Sequence, residues 1–144
     1  APDRGHILVT ERLGPLLSHP MARLRQTEEG TVMIGASSDR VGFDTNLDFA
    51  TVARLAARAR RVLPAIGRAR IVRTWAALRI MSPDGFPIYA ESASCPGAYV
   101  VTCHSGVTLA AAHALDLAPV LLGDRFNDRF AAFSPDRFRN EAAA

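Results

Sequence analysis

The segment AYVVTCHSGVTLAAAHAL, residues 98–115, constrains the fold more than any other stretch. A β-rich apolar run stops at Cys103-His104-Ser105-Gly106, and an alanine-rich segment of helical composition begins at once. A strand that feeds a helix leaves the first helical amides unpaired and partly positive, so the junction favours an anion or a ligand carbonyl. Gly106 lets such a ligand approach closely. Ser105 also has the position and chemistry of an N-cap, so the residues alone leave two readings open, a ligand-binding junction and an ordinary helix start. A serine nucleophile on a strand-turn-helix elbow requires G-x-S-x-G, and Cys103 and Val107 stand at the glycine positions here.

The rest of the chain reads as antiparallel β structure with one further helix. GHILVTERL is a strand of mixed burial, and ARLRQTEEGTVMIGAS carries two β-type runs around Glu28-Glu29-Gly30, the form of a hairpin. In DFATVARLAARARRVLP the apolar set Phe49, Val52, Leu55 or Ala56, Ala59 and Val62 recurs at helical spacing, with Arg54, Arg58 and Arg61 opposite. Thr45 or Asn46 is the expected cap, and Pro64 the stop. ARIVRTWAALRIMS and FPIYAES, joined by SPDGFP, are expected to form a second hairpin. The strand AYVVTCH and a helix from about Gly106 to Leu122 follow, with Pro119 expected to kink or shorten that helix, and the aromatics of RFNDRFAAFSPDRF pack back on the body.

Charge and cysteine content exclude several function classes. All 17 basic residues are arginine, and the net charge of +3 hides an asymmetry, because between Asp48 and Asp84 there are eight arginines and no acid. That run lacks interleaved aromatics or a nucleic-acid motif, so it reads as a solvated helix face or a patch against an acidic partner domain, with no nucleic acid expected. Cys95 and Cys103 are too few for a disulfide framework and match no zinc spacing, so a reduced, cytoplasmic setting without a metal is expected. Tyr99 to Leu122 contains a single charge, Asp116, but histidines, Ser105, Gly106 and Pro119 interrupt it, which argues against an integral membrane segment.

Individual side chains leave their roles open. Trp75 and Arg79, four apart on a strand, share one face, and an arginine beside an aromatic either grips a substrate carboxylate or pairs with one of the chain's own acids. His104 is a candidate general base or a structural donor at a strand end. His6, His19 and His113 have no partner that sequence identifies.

Four segments together, RGHILVTERL, LRQTEEGTVMIGASSDRVGFDT, VRTWAALRIMSPDGFPIY and PGAYVVTCHSGVTLAAAHA, resemble the C-terminal part of the D-amino acid oxidase-like family of FAD-dependent oxidoreductases, which includes glycine and sarcosine oxidases and the flavin subunits of hydroxyproline and opine dehydrogenases. The resemblance runs in order from about Gly5 to Phe138. It implies an α+β chain in which residues 1–92 form the antiparallel sheet and flanking helix of a substrate domain, and residues 93–144 a strand-helix return to an FAD domain. It further implies that Arg79 holds the substrate carboxylate, that His104 lines the substrate site, and that Ser105, Gly106, Val107 and Thr108 face the flavin with their amides. No residue is implied as a catalytic acid or base.

Three features depart from the family pattern. WAALRI stands where many members have Trp-Ala-Gly-Leu-Arg-Pro, CHSG occupies the place of a second substrate arginine, and there is no G-x-G-x-x-G, so the dinucleotide-binding half is absent. The expected function is hydride transfer from an amine or amino acid to flavin, with an FAD-binding domain or subunit as partner. The isolated chain is expected to be inactive and not to retain FAD. The alternative is a non-catalytic fragment or subunit that completes a flavin site on a partner chain.

Overall fold

A computed structural model of the chain describes residues 2–21, 23–121, 123 and 126–139. The chain divides into two compact units, residues 1–79 and 80–144.

The first unit is built on strand alternation. β1 (Asp3–Arg12), β2 (Leu24–Gln26), β3 (Thr31–Ile34) and β4 (Ile71–Arg79) form an antiparallel sheet in the order β2-β3-β1-β4. Along β1 the residues Arg4, His6, Leu8 and Thr10 are buried, because successive side chains point to opposite faces and these four lie under one cover. That cover is α1 (Phe49–Val62) with the short 3₁₀ segment Pro64–Arg68, whose Leu55, Ala59 and Ile66 pack with Leu8, Leu24, Val32 and Ile34. The β2–β3 hairpin turns where expected, with Gly30 at φ +94°, a conformation that glycine adopts without a Cβ penalty.

α1 differs from the sequence reading in its start and its buried face. The cap is Asp48 rather than Thr45 or Asn46: its carboxylate accepts the Ala50 and Thr51 amides at 3.1 Å each and the Thr51 hydroxyl at 2.5 Å. Asn46 is drawn away because its amide donates to Asp44 Oδ1 and its carbonyl accepts from Arg4 Nη1. The hydroxyl of Thr51, ahead of the other contacts, holds the Asp48 carboxyl below the usual carboxylate range. Phe49, expected on the apolar face, is 75% exposed at the first helical position, and the buried stripe is Thr51, Leu55 and Ala59, spaced by four. Arg54, Arg58 and Arg61 face solvent as expected.

The second expected hairpin does not form. β4 pairs with β1 from Asp3↔Arg79 to Thr10↔Ile71, whereas β5 (Ile88–Glu91) pairs with β6 (Tyr99–Thr102) in a separate two-stranded sheet. Pro83 lies inside the Ser82–Gly85 turn, and Pro87, just before β5, lacks an amide donor that a β4–β5 ladder would need beside that turn. The ten-residue β1 offers β4 a longer partner than the four-residue β5.

In the second unit β6 leads through a turn to α2 (Ala110–Ala112), a π-helical turn (His113–Leu117) and α3 (Ala118–Leu121). The helix therefore begins at Ala110 rather than Gly106, and its expected end at Leu122 lies outside the described residues. Pro119 does not stop it. Proline has no N–H and its ring clashes with the carbonyl four residues back, and the turn before it widens so that Ala118 N–H donates to the His113 carbonyl five residues back. α4 (Phe126–Arg129) and two 3₁₀ segments, Ala131–Phe133 and Pro135–Phe138, return the tail. Its aromatics pack as expected: Phe130 meets Tyr89 edge-on at 5.4 Å and Phe126 meets Tyr99 at 4.9 Å, around a core of Tyr89, Leu117 and Phe126. Arg137 fastens the tail by donating to Asp84 at 2.7 and 3.1 Å and to the carbonyls of Phe133, Ser134 and Pro87.

Two measurements test this packing. Leu8→Ala should destabilise by about 2–5 kcal/mol in urea unfolding because it opens a cavity in the core, whereas Phe49→Ala should change stability by less than about 0.5 kcal/mol. The Arg137 hydrogen bonds lower the Asp84 carboxyl from 3.8 to about 2. A carboxyl that binds its proton less readily when folded contributes stability above its ordinary value, and that contribution is lost as pH falls from about 4 toward 2. Arg137→Gln should raise the Asp84 midpoint, measured by carboxyl NMR titration, toward the ordinary value.

Candidate functional site

Arg79 ends β4, on the face of the sheet opposite α1. Alternation from the register pairs Gly5↔Ala77 and Ile7↔Trp75 sets Gly5, Ile7, Trp75 and Ala77 on that same face, which no helix covers among the described residues of the unit. The half-buried guanidinium lies over Gly5 and donates from Nη2 to the Ser37 carbonyl, while its Nε is buried without a partner. Among the described residues no carboxylate lies within 4.0 Å of it. Asp3, its register partner, instead accepts the Ser38 hydroxyl at 2.6 Å. The arginine over the Trp75 ring is Arg73, at 5.4 Å from the centroid.

Ser37 belongs to a buried polar cluster that the sequence reading did not identify. His6, with no exposed surface, has Nδ1 2.8 Å from Ser37 Oγ and 3.3 Å from Asp39 Oδ2, and its Nε2 accepts the Asp48 amide at 3.1 Å. Because Nε2 accepts, the ring proton sits on Nδ1 and the hydroxyl of Ser37 is free to donate to Asp39 Oδ2 at 2.8 Å. His6 thus joins β1, the residue 37–39 segment and the start of α1. A sequence signal existed: strand alternation puts Arg4, His6 and Thr10 on the same face as Leu8, where a polar side chain must be paired.

The second local site, in the other unit, is the turn after β6. Ser105 is in the left-handed region at φ +63°, and its carbonyl accepts the Leu109 amide at 3.1 Å. Its hydroxyl lies 2.7 Å from His104 Nδ1 and caps no helix amide, so the N-cap reading of Ser105 does not hold. Gly106, Val107 and Thr108 are exposed, Val107 to 95%, and among the described residues their amides have no hydrogen-bond acceptor. These are three consecutive free donors, and the nearest atom to where a Gly106 Cβ would stand is Cys103 Sγ at 3.8 Å, so the turn is open to a hydrogen-bond acceptor. His104 is half-buried beside them. His113 lies elsewhere, with Nε2 2.8 Å from the hydroxyl of Tyr89, whose pKa is raised, first by burial and second by Cys103.

Among the described residues there is no cluster of three histidine, cysteine or acidic side chains that could hold a metal, and no helix long and apolar enough to cross a membrane. Cys95 and Cys103 are free thiols.

The first unit thus carries an arginine without an acidic partner among the described residues on an uncovered sheet face, and the second unit a strand-to-helix turn with free amides. Residues 1–119 match the FAD dependent oxidoreductase family, and the chain belongs to it. It is 42% identical over 143 residues to an opine oxidase subunit of Agrobacterium tumefaciens, covering 98% of this chain and 38% of that protein. It is 31% identical over 150 residues to the HcnC subunit of the hydrogen cyanide synthase of Pseudomonas aeruginosa, covering 99% of this chain and 36% of that protein. Among solved structures, glycine oxidase from Geobacillus kaustophilus superposes with a TM-score of 0.78 at 25% identity, over 92% of this chain and 38% of that one. The chain thus spans less than two fifths of the length of these relatives.

The histidine cluster gives a direct test of the local geometry. His6→Leu leaves the Asp48 amide and the Ser37 hydroxyl without their ring partner and should cost about 1–3 kcal/mol of stability per unsatisfied buried group. Amide hydrogen exchange at Asp48 should speed up. His19→Leu, at an exposed loop position, should change neither.

Proposed function

We propose that this chain supplies the substrate-binding sheet and the flavin-facing turn of an FAD-dependent oxidoreductase that oxidises an amine or amino acid. The observation that carries the reading is Arg79, a guanidinium on an uncovered sheet face with no carboxylate within 4.0 Å among the described residues. Residues 1–92 act as the substrate-domain part and residues 93–144 as the return to an FAD-binding domain or subunit. The protein acts in the cytoplasm, in keeping with its two free thiols.

FAD, when bound, would supply the hydride acceptor needed to oxidise the amine to an imine. The rest of the reading concerns the chain's own groups. Nη2 of Arg79 already donates to Ser37, so its second hydrogen and those of Nη1 form the free edge that takes the substrate carboxylate as a fork. Holding the carboxylate fixes the α-carbon, and orientation supplies much of the rate without a strong base. The amides of Gly106, Val107 and Thr108, with Ser105 setting the turn, donate to the flavin carbonyls, where preorganised donors stabilise developing negative charge. His104 lines the substrate side of that turn.

Two experiments test this. In the FAD-loaded protein that contains this chain, Arg79→Lys keeps the charge but loses the planar fork, and should lower kcat/KM by about 1.5–3 kcal/mol, roughly 10- to 150-fold. The same amine without its carboxylate should be indifferent to the change, and an equal loss for both substrates would assign Arg79 a purely structural role. The isolated chain should not retain FAD, since no glycine fingerprint is present to cradle the pyrophosphate. Purified chain that keeps stoichiometric yellow flavin would overturn that expectation.

A further inference from the structure

Gly5 has no conformational need to be glycine. Its φ is not positive, and it sits inside a ten-residue strand, where glycine weakens the element and commonly marks a close approach by another group. The group that approaches is Arg79. A Cβ at position 5 would stand 3.0 Å from Arg79 Nη2, 3.1 Å from Nε and 3.2 Å from Cζ. Three near-equal distances place the face of the guanidinium over the strand. The cross-strand neighbour of Gly5 is Ala77, the smallest residue with a Cβ, so the two form a shallow floor under the arginine. By contrast, Gly35, just after β3, meets Ile7 Cδ1, and Gly14, Gly42, Gly85 and Gly97 meet nothing within 4 Å.

We propose that Gly5 is a positioning residue for carboxylate recognition: its missing side chain lets Arg79 lie flat on β1 with Nη2 on the Ser37 carbonyl and its outer edge turned to the substrate. This rests on the reading of Arg79 as the carboxylate grip. A methyl group at position 5 lifts the guanidinium by a few tenths of an ångström and loosens its bond to Ser37. The yielding group is the far end of a flexible side chain, so the strand itself need not move. Gly5 touches no substrate and acts only through Arg79.

The test uses the FAD-loaded protein containing this chain, with propionate as the probe and calorimetry as the readout. Gly5→Ala should weaken propionate roughly 10- to 100-fold, the scale expected for a small misplacement of a positioning group. Its unfolding temperature should stay near that of the parent. In an Arg79→Lys background, whose slender side chain does not need the floor, adding Gly5→Ala should change propionate binding less than about twofold. If Arg79→Lys weakens propionate but Gly5→Ala does not, the role of Gly5 fails and the carboxylate reading of Arg79 stands. Should Arg79→Lys bind propionate like the parent, both fail. An equal loss from Gly5→Ala in the two backgrounds, or a Gly5→Ala protein that does not fold, overturns the proposal, because position 5 would then act through the sheet and not through Arg79.

Discussion

The buried polar face of β1 is the constraint on which the first unit depends. Strand alternation sends Arg4, His6 and Thr10 under α1 with Leu8, and each needs partners there because an unpaired buried polar group costs about as much as a core leucine contributes. Thr10 Oγ1 accepts the Val32 amide at 2.9 Å, which fastens β3. His6 takes Ser37 and the Asp48 amide, and Arg4 donates to Asp44 at 2.6 Å and to the Asn46 carbonyl at 2.9 Å. The 37–48 connection is therefore held to β1 by these side chains together with one backbone pair, in which the Arg4 and Asp39 amides each donate to the other's carbonyl at 2.9 Å, and α1 is capped at a place those bonds fix.

This arrangement reaches the opposite face of the sheet through one residue. Ser37 presents its hydroxyl to His6 and Asp39 and its carbonyl to Arg79. The guanidinium position is thus set by a backbone atom whose own position is set by buried hydrogen bonds, a rigid support for the group proposed to grip the substrate carboxylate. The satisfaction is incomplete at both arginines, since Arg4 Nε and Arg79 Nε are buried without partners. For Arg4 the bonds to Asp44 and Asn46 offset that cost. Arg79 has only the Ser37 carbonyl among the described residues, and unlike the exposed Arg73 on the same face it is half-buried, so its charge is still to be met by an acceptor.

Much of the fold was legible because most elements carry their own periodicity and punctuation. β1, the Gly30 hairpin, α1 and the aromatic tail follow from alternation, a glycine turn, a four-residue stripe and spacing of phenylalanines. Strand pairing was not legible. SPDGFP has the composition of a hairpin turn, yet β4 belongs to β1, some seventy residues earlier, and no local signal carries a contact of that range. The cap of α1 was misplaced for a similar reason, since Arg4 and Asp44 compete for Asn46 from outside the helix. Arg79 was found as a candidate from its place beside Trp75, although the aromatic turns out to serve Arg73. His6 was missed because its partners, Ser37 and Asp48, are 31 and 42 residues away.

The turn after β6 shows why donors are easier to read from sequence than helix boundaries. A helix starting at Gly106 would leave its first amides unpaired in any case. In the structure the helix starts at Ala110, and a turn closed by Leu109 on the Ser105 carbonyl leaves the amides of Gly106, Val107 and Thr108 equally free. What differs is how they are held. A helix would align them along its axis, whereas here they follow a serine in the left-handed region, at a cost of order 1 kcal/mol for a non-glycine residue. Strain of that size persists only where the surroundings impose it, and the short contact of Ser105 with His104 is the local interaction available to do so. In the proposed flavin contact the donors are therefore placed by the backbone path at Ser105 and not by the helix behind it, and for that reason an identity change at Val107, exposed and making no side-chain hydrogen bond, should matter less than one at Ser105.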